Sequence, residues 1–267
     1  MNFVSYKRGK TGKTGRLITK ELHCVSQRSI ERDLINPRAI TKVIRWGSTT
    51  LWAPCFEDEL NCVAAIENAS NKLKALNIMK EAGVSVPWFT NNKEKAKDKV
   101  SSINYGNMVG RTTYHQGGSN FEICVDKTDV SSDYQSSHWL ELIPIHKEWR
   151  VHVFQGEVIG VSRKTDEDVG YRITNRYTRN HANGWRFIRC DLDRVQPRLK
   201  ELGIEAVKSL GLDFGAVDII LSDGTESTSE GDRKYYVLEV NSAPSVEKGS
   251  TILYEYIRRF KEWLRKS

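Results

Sequence analysis

Two apolar, strand-like segments near the carboxyl-terminal end of the chain each contain a single acidic residue. Asp218 lies within residues 215–221, and Glu239 lies within residues 235–240, two positions before Asn241. Burying an unpaired carboxylate costs several kcal/mol, so each acid must have a partner. Side chains two apart in a strand point to the same face, which places Glu239 beside Asn241. Such oxygen ligands suit Mg²⁺ bound to a polyphosphate, so the pattern indicates nucleotide chemistry.

A third segment, residues 148–154, alternates polar and apolar side chains as an amphipathic strand does. Glu148, Arg150 and His152 would therefore share one face. A carboxylate and a guanidinium on that face could bind ribose hydroxyls and a phosphate, respectively. An ordinary half-exposed strand would show the same alternation, and His152 could equally be a histidine that packs within the strand.

Hydrophobic periodicity predicts the elements that must position these residues. Residues 70–82 form the clearest helical pattern, and Gly83 ends it. Further helices are predicted over residues 17–25, 195–210 and 253–264, and strands over 42–45, 107–113, 121–125, 139–143, 148–154 and 157–163. The pair Gln155-Gly156 predicts the turn between the last two strands. Polar composition predicts a flexible basic loop over residues 10–15 and a long functional loop over residues 165–186.

The 267-residue chain carries a net charge of +7 that is concentrated at its amino-terminal end. Residues 1–50 contain eleven Lys and Arg against three acids, a net +8, so the remainder carries −1. This basic segment predicts an acidic partner, such as nucleic acid or a phosphorylated or carboxylate substrate. A solvated basic face without a partner is the alternative.

The composition argues against several classes of protein. No apolar run approaches the roughly 20 residues that a membrane helix needs, and the first residues lack an apolar signal region. The five cysteines form no CxxC pair, which argues against a zinc ribbon and against a disulfide framework. These observations predict a cytoplasmic location.

The order of these motifs resembles the ATP-grasp superfamily, and within it the RimK-like ligases, which join amino acids to a carboxylate. The chain also looks like the compact ATP-grasp proteins of bacteriophage genomes. The resemblance covers residues 68–250, and its most specific parts are Glu-Val-Asn-Ser-Ala-Pro at 239–244 and Ala-Val-Asp-Ile at 216–219. It implies an α+β fold in which two α+β halves grip ATP, with a small amino-terminal α/β segment.

The resemblance also implies a division of the chain into three parts. Residues 1–67 would form a basic, substrate-side segment, which matches the usual first domain of the family only loosely. Residues 68–138 would form the first ATP-grasp half with its Gly-rich loop. Residues 139–267 would form the second half with the metal site and the carboxyl-terminal helix.

Three sets of site residues follow from the resemblance. Two Mg²⁺ ions, which Mn²⁺ could replace, would be held by Asp218, Glu239 and Asn241. ATP would be bound by Lys72, Arg111, Gly117, Gly118, Ser119, Glu141, Leu142 and Glu148. The phosphate and the acyl-phosphate would be contacted by the catalytic residues Arg150, Arg179 and Asn180.

Each residue of the ATP-binding set has an implied role. The backbone of Glu141 and Leu142 would contact adenine, and Glu148 would bind the ribose. Lys72 would reach a phosphate, as would Arg111, which stands where the family usually has a lysine; arginine keeps the charge and can bind a phosphate through two hydrogen bonds. The glycine-containing loop would close over the triphosphate through its backbone N–H groups.

The implied activity is ATP-dependent formation of an amide or peptide bond between a carboxylate and an amine through an acyl-phosphate. The partners would be ATP, a carboxylate substrate and an amine substrate, either of which could be an amino acid or a peptide. One alternative is a basic nucleic-acid-binding protein with a vestigial nucleotide site. Another is an ATP-grasp ligase or kinase that acts on a nucleic-acid-linked or protein-linked substrate.

Overall fold

The computed structural model describes residues 2–6, 12–26, 36, 39–50, 58–102, 107–114, 121–130, 136–166, 179, 183–224 and 233–266. Its strands are β1 (Asn2–Tyr6), β2 (Val25–Ser26), β3 (Lys42–Trp46), β4 (Asp58–Leu60), β5 (Phe89–Thr90), β6 (Met108–Arg111), β7 (Phe121–Cys124), β8 (His138–Glu141), β9 (Ile145–Phe154), β10 (Glu157–Thr165), β11 (Arg186–Arg189), β12 (Phe214–Ser222) and β13 (Tyr235–Asn241). Its helices are α1 (Gly12–Glu21), α2 (Val63–Ser70), α3 (Lys72–Glu81), α4 (Lys93–Ser102), α5 (Lys127–Val130), α6 (Pro197–Ser209) and α7 (Thr251–Arg265). No helix within these ranges is long and apolar enough to cross a membrane.

Within those ranges the strands form three sheets. The amino-terminal sheet has the order β2-β1-β3-β4 and is parallel. The small sheet has the order β5-β8-β6-β7 and is antiparallel. The large sheet has the order β11-β10-β9-β12-β13 and is also antiparallel. The strands that carry the predicted site residues Arg150, Asp218 and Glu239 are therefore neighbours in one sheet.

The small sheet includes β8, which pairs with β5 and β6. A boundary at residue 139 therefore cuts through β8, because hydrogen bonds to strands earlier in the chain hold all of His138–Glu141 in the small sheet. The division of the chain into three parts remains a prediction.

Helix α1 begins earlier than the sequence pattern predicts. The predicted loop over residues 10–15 and helix over residues 17–25 are replaced, from residue 12 onward, by one helix that spans Gly12–Glu21. Gly15 packs directly on β1, where an added Cβ atom would lie 2.5 Å from the Cβ of Tyr6. Ile18 is buried as well. Close packing against the sheet therefore outweighs the weak intrinsic helix propensity of this glycine-containing stretch.

One face of the large sheet is apolar and packs against α6. Val151 and Val153 of β9 lie on this face together with Val217 and Ile219 of β12, and all four are fully buried. Each buried aliphatic side chain of this size contributes about 1.5–3 kcal/mol through removal of apolar surface from water. The core on this side therefore fixes the register of the two central strands.

The other face of the large sheet changes from charged to aromatic along β9 and β12. Arg150 pairs across the strands with Asp218, His152 comes next along β9, and Phe154 then pairs with Phe214. This order follows from the two-residue period of a strand. One end of the face can therefore bind ligands while the other end is closed by packing.

The closed end is filled by an aromatic cluster that consists of Trp46, Phe154, Phe214, Tyr256 and Phe260. Trp46 of the amino-terminal sheet stacks on Phe214 with ring centroids 5.5 Å apart. Tyr256, on α7, packs perpendicular to the same tryptophan with ring centroids 5.2 Å apart. The amino-terminal sheet and the last helix thus close one end of the face that carries the charged residues.

Asn61 ties the end of β4 to the beginning of β12. Its side-chain Oδ1 accepts hydrogen bonds from the backbone N–H groups of Asp213, at 2.8 Å, and Phe214, at 3.1 Å. Its Nδ2 donates to the carbonyl oxygen of Phe214 at 3.0 Å. Asn61 is fully buried, and its φ of 60° lies in the left-handed region that asparagine tolerates better than most residues.

We expect Asn61→Ala to lower the free energy of unfolding by about 2–3 kcal/mol. The variant leaves buried backbone N–H groups without their acceptor and places alanine at a positive φ. Urea unfolding at neutral pH measures the change. Asn77→Ala is the matched control, because Asn77 is exposed on α3 and alanine favours a helix; equal stability of the two variants would contradict this role of Asn61.

Candidate active site

A cavity of about 230 Å³ lies where α3, the small sheet and the large sheet meet. The predicted site residues that line this cavity are Lys72, Arg111, Glu141, Leu142, Glu148, Arg150, Arg179, Asp218 and Glu239. Asn241 joins them through a hydrogen bond from its Nδ2 to Glu239 Oε1, at 2.9 Å. The predicted residues Gly117, Gly118, Ser119 and Asn180 lie outside the described residues.

Arg150 and Asp218 form a bidentate ion pair at the centre of the site. Arg150 Nε donates to Asp218 Oδ1 at 2.7 Å, and Nη2 donates to Oδ2 at 2.8 Å. Burial alone would raise the pKa of Asp218, but Arg150 and Lys164 hold it below its usual value. Asp218 therefore remains an anion although it is almost completely buried.

Glu239 lies directly across from Asp218 in the antiparallel pair β12–β13. Lys72 Nζ, at the beginning of α3, lies 3.3 Å from Glu239 Oε2. The ammonium of Lys72 lowers the pKa of Glu239 below its ordinary range, and the hydrogen bond from Asn241 acts in the same direction. The backbone N–H of Lys72 donates to the carbonyl oxygen of Thr113 at 3.2 Å, so this end of α3 is also anchored to the chain that follows β6.

Lys164 lies in the middle of the site, although no sequence motif predicted it. Its Nζ forms a short ion pair with Glu148 Oε1 and lies 3.4 Å from Asp218 Oδ2. Burial would lower the pKa of Lys164, yet the two carboxylates raise it above its ordinary value. Lys164 therefore stays charged and bridges the predicted ribose acid to a predicted metal ligand.

The two backbone N–H groups of the segment predicted to contact adenine already donate hydrogen bonds to other parts of the protein. The N–H of Glu141 donates to the carbonyl of Trp88 at 2.9 Å, and that of Leu142 donates to the carbonyl of Asn107 at 3.0 Å. A purine bound here would have to use other backbone groups of this segment. The side chain of Glu141 lies 3.8 Å from Lys99 Nζ.

Arg179 approaches the site from the segment between β10 and β11. Its Nη1 lies 3.8 Å from Glu148 Oε2, and its guanidinium lies over the ring of Trp185 at 4.5 Å from the centroid. Burial lowers the pKa of Arg179, whereas Glu148 and Asp166 raise it. The guanidinium is thus held beside Glu148.

Oxygen atoms from the middle of β12 and from the end of β13 are of the kind that Mg²⁺ prefers. They come from two carboxylates, Asp218 and Glu239, and from the side-chain amide of Asn241. Mg²⁺ in nucleotide sites takes one or two carboxylates together with phosphate oxygens and water, so a larger protein cage is not required.

His152 is packed within the strand and does not line the cavity. Its Nδ1 lies 3.2 Å from the hydroxyl of Tyr256, which itself donates to the carbonyl of Gly215. Because that hydroxyl has one hydrogen, Nδ1 of His152 is the donor in their hydrogen bond. Burial, with a smaller contribution from Arg150, lowers the pKa of His152 to about 3.

We expect the protein to become less stable as the pH is lowered, and part of this loss should depend on His152. The folded pKa of about 3 lies below the unfolded value of about 6.5, so the unfolded chain binds a proton that the folded one excludes. This contribution is complete above pH 6.5 and is lost progressively towards pH 3, by about 1.5 kcal/mol between pH 6.5 and 5. Urea unfolding of wild type and His152→Gln across this range should show the smaller slope for the variant, and equal slopes would contradict the prediction.

The curated proteins that resemble this chain include glutamate ligases. The coenzyme gamma-F420-2:alpha-L-glutamate ligase of Methanococcus maripaludis is 23% identical over 221 residues, which are 78% of this chain and 70% of that protein. The probable alpha-L-glutamate ligase of Citrobacter koseri is 22% identical over 230 residues, which are 80% of this chain and 70% of that protein. No family model matches the chain.

Solved structures share the fold over nearly the whole chain. The ATP-grasp ligase PsnB in complex with a minimal precursor superimposes with a TM-score of 0.69 at 15% identity and covers 99% of both chains. The D-alanine–D-alanine ligase of Bacillus anthracis gives a TM-score of 0.65 at 13% identity and covers 99% of this chain and 98% of that one. The predicted α+β fold is thereby confirmed, and it is the fold of ATP-grasp ligases; the relatives agree with the resemblance to RimK-like ligases.

Proposed function

We propose that this protein is an ATP-dependent ligase that joins a carboxylate to an amine through an acyl-phosphate. The observation that carries the proposal is the charge network in one cleft, in which Arg150, Lys164 and Lys72 meet Glu148, Asp218 and Glu239. The glutamate ligases and the D-alanine–D-alanine ligase among the similar proteins support a reaction of this type.

Different described residues would bind the phosphates, the ribose and the metal of MgATP. Lys72, Arg150 and Lys164 would supply cations for the phosphates, and Glu148 would bind the ribose hydroxyls. Two Mg²⁺ ions, or Mn²⁺ in their place, would be held by Asp218, Glu239 and Asn241. When bound, the metal neutralises charge on the phosphates during phosphoryl transfer.

The reaction would proceed in two steps, for which the protein supplies position and charge and no nucleophile. A carboxylate oxygen of the acid attacks the γ-phosphorus, the bond to the β–γ bridging oxygen breaks, and ADP leaves. The amine nitrogen then attacks the acyl carbon, phosphate leaves with the electron pair of the C–O bond, and the nitrogen loses its proton to solvent. Arg150 and Arg179 are placed to hold the negative charge of the acyl-phosphate.

A second cavity, of about 280 Å³, adjoins the first and shares Ile145, Lys164 and Arg179 with it. Lys147 and Arg163 add positive charge to its lining, which thus holds four basic side chains and one acid, Asp166. A cavity with this balance of charge attracts anions. We therefore place the carboxylate-bearing substrate, an amino acid or a peptide, on this side of the nucleotide cleft.

The direct test is ADP release from MgATP with panels of acids and amines, followed by mass spectrometry of the product. Release should require the acid, and the amide should require both substrates. With hydroxylamine as the amine, trapping of the acyl-phosphate should give the hydroxamate of the acid. A kinase would release ADP and leave a phosphorylated product without any amine, and an absence of MgATP binding would contradict the proposal altogether.

The alternative of nucleic-acid binding rests on the basic amino-terminal segment. Part of the positive charge of this segment is paired with acids of the protein itself. Arg45 is buried and donates to Glu59 Oε2 at 2.8 Å. Lys42 lies 3.7 Å from Asp58. Other basic residues of the segment lie outside the described residues, so a nucleic-acid partner remains a prediction. A gel-shift experiment with DNA and RNA tests it.

A further inference from the structure

Both carboxylates assigned to metal binding are neutralised by cations assigned to the phosphates. Lys72 lies 3.3 Å from Glu239, and Arg150 holds Asp218 through two hydrogen bonds. Lys164 contributes to the neutralisation of Asp218 as well. The described carboxylates and cations of the site therefore neutralise one another.

This neutralisation opposes the binding of a divalent cation without nucleotide and the binding of a nucleotide without metal. A divalent cation that binds Glu239 Oε2 displaces Lys72, whose side chain is 15% exposed, and leaves its ammonium without that anion. A triphosphate that draws Lys72 away must leave Glu239 unpaired beside Asp218, and uncompensated charges at a partly buried site are costly. When metal and nucleotide bind together, both charged groups have a partner: the metal would bind the carboxylate of Glu239, and a phosphate would pair with the ammonium of Lys72.

We propose that Lys72 is an exchangeable counter-ion, which pairs with Glu239 when no nucleotide is bound and with a nucleotide phosphate when MgATP is bound. The inference rests on the proposed binding of MgATP and adds that metal and nucleotide bind interdependently. Coupling between two ligands is reciprocal, so each raises the affinity for the other by the same factor. Lys72 is well placed for this role because it begins α3 and is not part of the large sheet that holds Glu239.

The proposal predicts effects of opposite sign in one variant. Lys72→Met removes the competitor for Glu239, so the affinity for a divalent cation alone should rise by about tenfold. The same change removes a cation from the phosphates, so the affinity for the nucleotide without metal should fall by about tenfold. A lysine that served only to bind phosphate would weaken nucleotide binding without strengthening metal binding.

The experiment uses Mn²⁺ and the ATP analogue AMP-PNP with the full chain. Electron paramagnetic resonance of free Mn²⁺ measures metal affinity with and without the nucleotide, after subtraction of the binding between Mn²⁺ and free AMP-PNP. Calorimetry in the presence of a chelator measures nucleotide affinity without metal. Lys74→Met, an exposed position on the same helix, is the control, and it should match wild type in both measurements.

Two further variants sharpen the result. Lys72→Gln should repeat the behaviour of Lys72→Met with a polar side chain, and Lys72→Arg should restore wild-type metal affinity because it keeps the charge. Unchanged or weaker Mn²⁺ binding in both neutral variants would overturn the exchange. Wild type that binds no Mn²⁺–AMP-PNP at all would contradict the proposed function instead, so the two failures can be told apart.

Discussion

Glu239→Gln should reduce MgATP-dependent ADP release by about 10²–10³-fold and leave the fold intact. Glutamine has nearly the same shape as glutamate but lacks the negative charge that lies across from Asp218 in the pair β12–β13. A neutral oxygen is a poorer ligand for Mg²⁺, so charge neutralisation during phosphoryl transfer is lost. The loss should fall on kcat more than on the KM for the acid substrate, because the contact is made at the phosphates.

The control for this prediction is Glu81→Gln. Glu81 is exposed at the end of α3 and lines neither cavity. Steady-state ADP release should equal that of wild type in this variant, and far-ultraviolet circular dichroism should confirm that both variants are folded. Undiminished turnover in Glu239→Gln would remove Glu239 from the metal site.

Arg150→Met should lower the free energy of unfolding by about 3–5 kcal/mol, because it leaves the carboxylate of Asp218 in the site without its bidentate partner. Urea unfolding at neutral pH measures the effect. The double variant Arg150→Met/Asp218→Asn should recover part of the loss, since removal of both charges is less costly than removal of one. Arg198→Met is the control on α6.

Arg198 pairs with Glu205 at 3.0 Å but is half exposed, and exposed pairs contribute about 1 kcal/mol or less. A loss in Arg150→Met no larger than that in Arg198→Met would contradict the central role of the Arg150–Asp218 pair. A double variant that is less stable than the single one would show that Asp218 has a partner strong enough to compensate it without Arg150. Lys164 is the described residue that could act in this way.

The alternation of polar and apolar residues was sufficient to predict the main strands of the site. It placed Glu148, Arg150 and His152 on one face and Glu239 beside Asn241, because side-chain direction in a strand depends only on parity. Helix α3 could also be predicted from the sequence, because Asn71 caps it and Gly83 follows it with a φ of 78°. Local sequence carries these signals, and long-range structure does not alter them.

Lys164 was not predicted because its position depends on a β-bulge. A two-residue turn at Gln155-Gly156 with regular pairing would place Arg163 across from Glu148. The pairing shifts by one residue between Val158 and Gly160, and Lys164 comes to lie there instead. Bulges of this kind are set by tertiary packing, so periodicity alone gives the wrong partner.

The aromatic cluster has a consequence for how the charges of the site respond to the solvent. It keeps water from one side of the face that carries Arg150 and Lys164, so dissolved ions can screen these cations only from the open cleft. Exposed charges are screened beyond about 10 Å at an ionic strength of 0.1 M, whereas buried ones are screened much less. Nucleotide affinity should therefore vary less with ionic strength than any binding that depends on Lys13, Arg16 and Lys20 of the amino-terminal segment, which are exposed.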